Sequence, residues 1–173
     1  QDASSPPMFG TARINTNGSL DTAFGNNGKI LTIIGDACFP EATFLQPDGK
    51  IIVAGKSVAI NHYFSSVRYT SDGTIDTEYG TNGISSSQLW SDYQEINSVI
   101  LQADGKLLAA VSKLNQTPNI YDFKIRRFNT DGTYDVNFGG TDGVGTSFYG
   151  GYDEAFSIAL QSDNKIIVAG ATH

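Results

Sequence analysis

The chain has one cysteine, Cys38, which excludes an intrachain disulfide and any cysteine-based metal cluster. Histidine is nearly as scarce: His62 and His173 are the two present, and neither an HExxH nor a GxSxG string occurs, so the signatures of zinc proteases and serine hydrolases are missing. Charged residues make up 17% of the chain, against roughly 25% in an average soluble protein. Eleven Lys and Arg against 18 Asp and Glu leave a net charge of −7, with no basic stripe to neutralise phosphates. Nucleic acid and anionic membrane surfaces are therefore poor partners, and no nucleic-acid binding is expected. No apolar run approaches the roughly 20 residues that span a bilayer, so no membrane insertion is expected. Glycine, by contrast, is abundant, with 19 in 173 residues, and turns must be frequent.

Those turns recur with a period. Gln46-Pro47-Asp48-Gly49-Lys50-Ile51-Ile52-Val53-Ala54-Gly55 is echoed by Gln102-Ala103-Asp104-Gly105-Lys106-Leu107-Leu108 and by Gln161-Ser162-Asp163-Asn164-Lys165-Ile166-Ile167-Val168-Ala169-Gly170, at intervals of 56 and 59 residues. A second motif keeps the same rhythm. It begins with Phe9 to Arg13, Phe64 to Arg68 and Phe123 to Arg127, passes through Asp21, Asp76 and Asp135, and ends at Phe24-Gly25, Tyr79-Gly80 and Phe138-Gly139. The expected organisation is a flexible arm over 1–8 and one repeat domain over 9–173, with units of approximately 9–63, 64–122 and 123–173.

Within a unit the pattern is β. The Gln-x-Asp-Gly-Lys step between apolar runs reads as a hairpin, whose strands we call c and d, because Asp-Gly supplies the positive φ of a tight turn. Strand a carries Phe-x-x-x-Arg, with both side chains on one face at period two. Strand b follows the next Gly-rich turn, and no helical period is sustained. The expected fold is all-β: three four-stranded antiparallel repeats of about 57 residues, arranged as β-propeller-like blades. A β-trefoil, which also has three four-stranded units, is the structural alternative. The phase of the repeat places strand a of each unit as the last element of the preceding blade.

The string Phe-x-x-x-Arg-aromatic-Asn-x-Asp-Gly-Thr-x-Asp-x-x-Phe-Gly, followed by Ala-Leu-Gln-x-Asp-x-Lys-Ile-Ile-Val-Ala-Gly, resembles the delta-60 repeat of large secreted or surface bacterial proteins. The resemblance covers nearly all of residues 9 to 170. It implies a propeller-like fold and a secreted or cell-surface location, and it implies no catalytic residues. Asn164 stands where the other hairpins have Gly, a mild departure because Asn tolerates the left-handed conformation. Phe39 stands where the other units have Glu95 and Glu154.

The Arg-to-Asp offset is eight residues in every unit. A desolvated Arg on a Phe-bearing face needs a carboxylate partner, so Arg13 with Asp21, Arg68 with Asp76 and Arg127 with Asp135 are read as a structural clamp repeated because the blade is repeated. The Asp131 to Asp135 stretch resembles a calcium loop superficially but lacks alternating ligands and a terminal Glu. No cofactor and no metal are expected, structural calcium being the alternative.

Loops are where repeat scaffolds carry function. The b-to-c connections present Trp90, Tyr93, Tyr149 and Tyr152, aromatics suited to stacking on a sugar ring. The d-to-a connectors, Lys56 to Tyr63 and Ser112 to Tyr121, add His62, Tyr63, Asn115 and Tyr121. The expected function is a non-catalytic secreted or cell-surface module that binds glycan or protein through these loops. The alternatives are a polysaccharide-active enzyme using carboxylates such as Asp92 with Glu95 or Asp153 with Glu154, and a structural spacer of a larger adhesin. The polar stretch Gln1 to Pro7 fits what remains after a signal peptide is removed, or where a longer chain was cut. The repeat phase also suggests assembly: either a homodimer closing a six-bladed ring or part of a longer array.

Overall fold

The computed structural model describes residues 6–88, 94–116, 119–140, 143–146 and 153–172. Twelve strands run through them: β1 (Phe9–Ala12), β2 (Lys29–Thr32), β3 (Ala37–Leu45), β4 (Ile51–Val58), β5 (His62–Tyr69), β6 (Ile84–Gln88), β7 (Gln94–Leu101), β8 (Leu107–Gln116), β9 (Asn119–Phe128), β10 (Val144–Thr146), β11 (Asp153–Leu160) and β12 (Ile166–Thr172). They form two four-stranded antiparallel sheets, β3-β4-β5-β6 and β7-β8-β9-β10, and two two-stranded ones, β1-β2 and β11-β12. Each complete sheet takes strands c and d from one unit and both a and b from the next, so strand a is the third strand of the blade and strand b, not a, is its last element; Ile52 lies opposite Arg68 and Leu108 opposite Arg127. The fold is all-β and propeller-like, and no sheet closes into a barrel among the described residues.

The sheets stack, and the core is the set of seams between them. Phe9, Ile34, Cys38, Val53, Val67 and Tyr69 fill the first seam. Ile52, Ala54 and Phe64 meet Ile96, Leu107 and Phe128 in the second, where the Phe64 and Phe128 rings stack with centroids 3.8 Å apart. Leu108 and Ala110 meet Ala155 and Ile158 in the third. This explains the unbroken apolar run of the d strands. Ile52 and Ala54 serve one seam and Val53 the other, so a central strand covered on both faces cannot alternate with polar residues. Gly55 ends that run for a steric reason: β3 bulges between Pro40 and Ala42, and a Cβ on Gly55 would sit 2.1 Å from the Phe39 carbonyl oxygen.

The d-to-a connectors differ from the expectation of loops. β4 runs on to Val58 and β5 begins at His62, paired through to Val58↔His62, while β8 and β9 pair as far as Gln116↔Asn119. Strands d and a therefore make long hairpins whose ladders consume most of each connector, because its residues still satisfy backbone groups across the pair.

Candidate functional site

Each a strand is locked to the turn that follows it. The Nε of Arg13, Arg68 and Arg127 lies 2.7, 2.7 and 2.8 Å from Oδ2 of Asp21, Asp76 and Asp135. The same Asp accepts a backbone N–H through Oδ1, from Ala23, Glu78 and Asn137 respectively, at 3.1 to 3.2 Å. Its own N–H donates to the Arg carbonyl at 2.9 Å in every unit. The guanidinium also lies over the aromatic that ends the motif: Arg13 over Phe24 at 4.6 Å, Arg68 over Tyr79 at 4.8 Å and Arg127 over Phe138 at 4.4 Å. One motif thus makes four contacts.

The hairpin lysine supplies a further partner that the spacing does not reveal. Lys50 Nζ lies 2.9 Å from Asp76 Oδ2, and Lys106 Nζ lies 2.9 Å from Asp135 Oδ2. The lysine comes from one unit and the Arg–Asp pair from the next. Asp76 is held below the ordinary carboxylate range chiefly by Lys50, with Arg68 adding to the effect and partial burial opposing it. Lys106 acts in the same way on Asp135. These carboxylates are ionised anchors of the blade-to-blade joint.

An open polar cleft of about 450 Å³ lies beside the edge strand β6. Thr81, Ser85, Ser86 and Ser87 form one side, while Asp131, Thr133 and Tyr134 of the next unit form the other, with Glu78 at the rim. Ser85 donates its hydroxyl to the Gly132 carbonyl at 2.6 Å, which ties the two sides together. The Gly80 N–H donates to the Asp131 carbonyl at 3.1 Å. Hydrogen bonds from Thr133 keep the Asp131 carboxylate below its usual range, so the cleft carries negative charge and many hydroxyls.

Of the residues singled out in the sequence, His62 and Tyr63 begin β5 at the tip of the β4–β5 hairpin. Asn115 and Tyr121 occupy the corresponding end of β8–β9. Trp90, Tyr93, Tyr149 and Tyr152 lie outside the described residues, as does Asp92. Glu95 is engaged by Lys56, Nζ to Oε2 at 2.5 Å, and Asp153 is fully buried. Among the described residues no cluster of three His, Cys, Asp or Glu side chains is placed to hold a metal ion. The cleft escapes sequence reasoning because its two sides come from different units and each consists of ordinary turn residues.

A family model described as a domain of unknown function (DUF5122) beta-propeller matches residues 2–24, 46–79 and 102–138. The latter two segments open on the hairpin glutamine and end on the aromatic beneath the clamp arginine, so the matched unit contains the Lys–Arg–Asp joint. No curated protein and no solved structure matches the chain.

Proposed function

This chain belongs to the DUF5122 beta-propeller family, and on that premise we propose that it is a non-catalytic module of a secreted or cell-surface protein that binds a glycan on its blade seams and loops. The observation that carries this reading is the polar cleft between β6 and the Asp131–Tyr134 turn. Its volume falls within the range typical of small-ligand sites. Its hydroxyls and carboxylates match the alternating donors and acceptors of a sugar, and Tyr134 offers an aromatic surface beside them. The resemblance of the repeat to the delta-60 kind supports the extracellular location. Against a catalytic role, Asp76, Asp135 and Glu95 are all engaged by cations.

The test is an array of neutral oligosaccharides, followed by titration calorimetry on any ligand retained. Glu78→Ala, at an exposed rim position, should weaken binding about tenfold without altering the fold, the size expected for one lost hydrogen bond to a charged group. Trp90→Ala combined with Tyr149→Ala asks whether the loop aromatics share the site. A wild-type protein that retains no sugar would remove the glycan reading.

A further inference from the structure

We propose that the cleft beside β6 takes a sugar bearing a free amino group, its ammonium received by the Glu78 and Asp131 carboxylates and its hydroxyls by the serine and threonine side chains around them. This rests on the glycan reading above and names the class of sugar. The first observation is a difference between two equivalent seams. The joint that bounds the cleft is repeated: Gly80 donates its N–H to the Asp131 carbonyl at 3.1 Å, as Gly25 does to the Asp72 carbonyl at 2.8 Å. A Cβ on Gly132 would meet Ser85 and Tyr79, and one on Gly73 would meet Ile30 and Phe24, so Ser85 and Ile30 hold the same place in the two seams. By the same alignment Ile75 stands where the cleft has Tyr134, and Ala23 where it has Glu78. In the first seam Ile30 and Ile75 pack against the apolar cluster that includes Val67 and Tyr69. Aliphatic side chains therefore satisfy blade packing at these positions, and packing does not account for the serine, tyrosine and carboxylate of the second seam.

Charge supplies the second observation. The described lining holds two carboxylates and no Lys, Arg or His. At the blade joints the carboxylates are answered within the fold, Asp76 by Lys50 and Arg68, and Asp135 by Lys106 and Arg127. The cleft differs. Asp131 Oδ1 accepts the Thr133 N–H at 2.9 Å and the Thr133 hydroxyl at 2.7 Å, which keeps the group ionised. Among the described residues neither Asp131 nor Glu78 is paired with a cation. Arg126 lies over the Tyr134 ring, 5.3 Å from its centroid, but it is 3% exposed and does not line the cleft. Two carboxylates without a counter-charge favour a positively charged ligand, and they oppose an acidic sugar, which would bring like charge against them.

Hydroxyl groups decide between an amino sugar and other amines. Ser85 donates to the Gly132 carbonyl at 2.6 Å, and Thr133 donates to Asp131. A hydroxyl so committed still accepts from a ligand. The cleft thus presents acceptors whose directions the fold has set, matching both the three N–H donors of an ammonium and the O–H donors of a sugar ring. A lysine side chain or a polyamine offers the ammonium alone.

Titration calorimetry at low ionic strength with chitosan oligomers, their fully N-acetylated counterparts, oligogalacturonate and pentalysine tests this. The amino oligomers should bind at least tenfold more tightly than the acetylated ones, the acidic oligomer more weakly than either, and the preference should shrink as salt screens the exposed carboxylates. Glu78→Gln, at an exposed position, should keep the circular dichroism and bring the affinities for amino and acetylated oligomers together. Ser85→Ile combined with Tyr134→Ile gives the second seam the residues of the first and should lose both oligomers. Equal affinity of the wild type for amino and acetylated oligomers would overturn the amino-sugar inference and leave the glycan reading standing. Pentalysine bound as tightly as the amino oligomers, or a preference indifferent to Glu78→Gln, would also overturn it. Retention of no sugar at all would remove both readings.

Discussion

Lys50 and Asp76 belong to different repeat units, yet Nζ of the one lies 2.9 Å from Oδ2 of the other, the same oxygen that receives Arg68 Nε at 2.7 Å. A single buried carboxylate oxygen therefore fastens a hairpin turn, an a strand and the following loop. Arg68→Ala removes one of its two cations together with the packing over Tyr79. The expected cost is about 2–3 kcal/mol, the range for losing a charge-assisted bond to a buried group that keeps one partner. The urea midpoint measures it. Arg13→Ala, at the more exposed pair, should cost less.

The same joint sets the acid limit of the fold. The carboxyl of Asp76 is depressed below its ordinary value of 3.8, first by Lys50 and then by Arg68. That of Asp135 is depressed by Lys106 and Arg127. A group whose folded pKa is lowered adds stability above its unfolded pKa and loses it as pH falls through the folded value. Urea midpoints should therefore be level from pH 7 to about 5 and drop from about pH 4 downward. The double variant Lys50→Met with Lys106→Met should be weaker at pH 7 and converge on the wild type at the acid end. A constant gap at every pH would show that the lysines contribute packing and not charge.

Phe64 and Phe128 stack at 3.8 Å across the seam between the two complete sheets, both almost fully buried. Phe128→Ala should cost about 3–5 kcal/mol, as expected for emptying a large aromatic site. Chemical denaturation followed by Trp90 fluorescence and by circular dichroism should give one coincident transition if this seam holds the stack together.

The blade plan was legible because it is written three times. A hairpin at Gln-x-Asp-Gly-Lys and a Phe-x-x-x-Arg strand in constant phase suffice to place strand a of one unit beside strand d of the last, as in Ile52 opposite Arg68. The Arg–Asp contact was legible because it is local, eight residues in each unit. Lys50 was visible as a repeated letter but not as a partner of Asp76, because the contact between them joins separate units. The long d–a hairpins were hidden for a different reason. Lys56 to Tyr63 carries no alternation, since the ladder there includes small residues such as Ser57 and Ser65, whose hydroxyls bond each other at 2.7 Å.

The sharpest separation of backbone strain from blade packing comes from two equivalent glycines. Gly18 and Gly132 both have φ of +85°, so alanine at either pays the same conformational cost, about 1–2 kcal/mol. Their surroundings differ. A Cβ on Gly132 would lie 2.5 Å from Ser85 Cβ and 2.7 Å from the Tyr79 ring, both in the preceding blade, whereas one on Gly18 meets nothing within 4 Å. Gly132→Ala should therefore add an overpacking term of about 1–3 kcal/mol that Gly18→Ala lacks. Urea midpoints should show this gap. Equal midpoint losses for the two variants would mean that the turn alone, and not the seam beneath it, requires glycine.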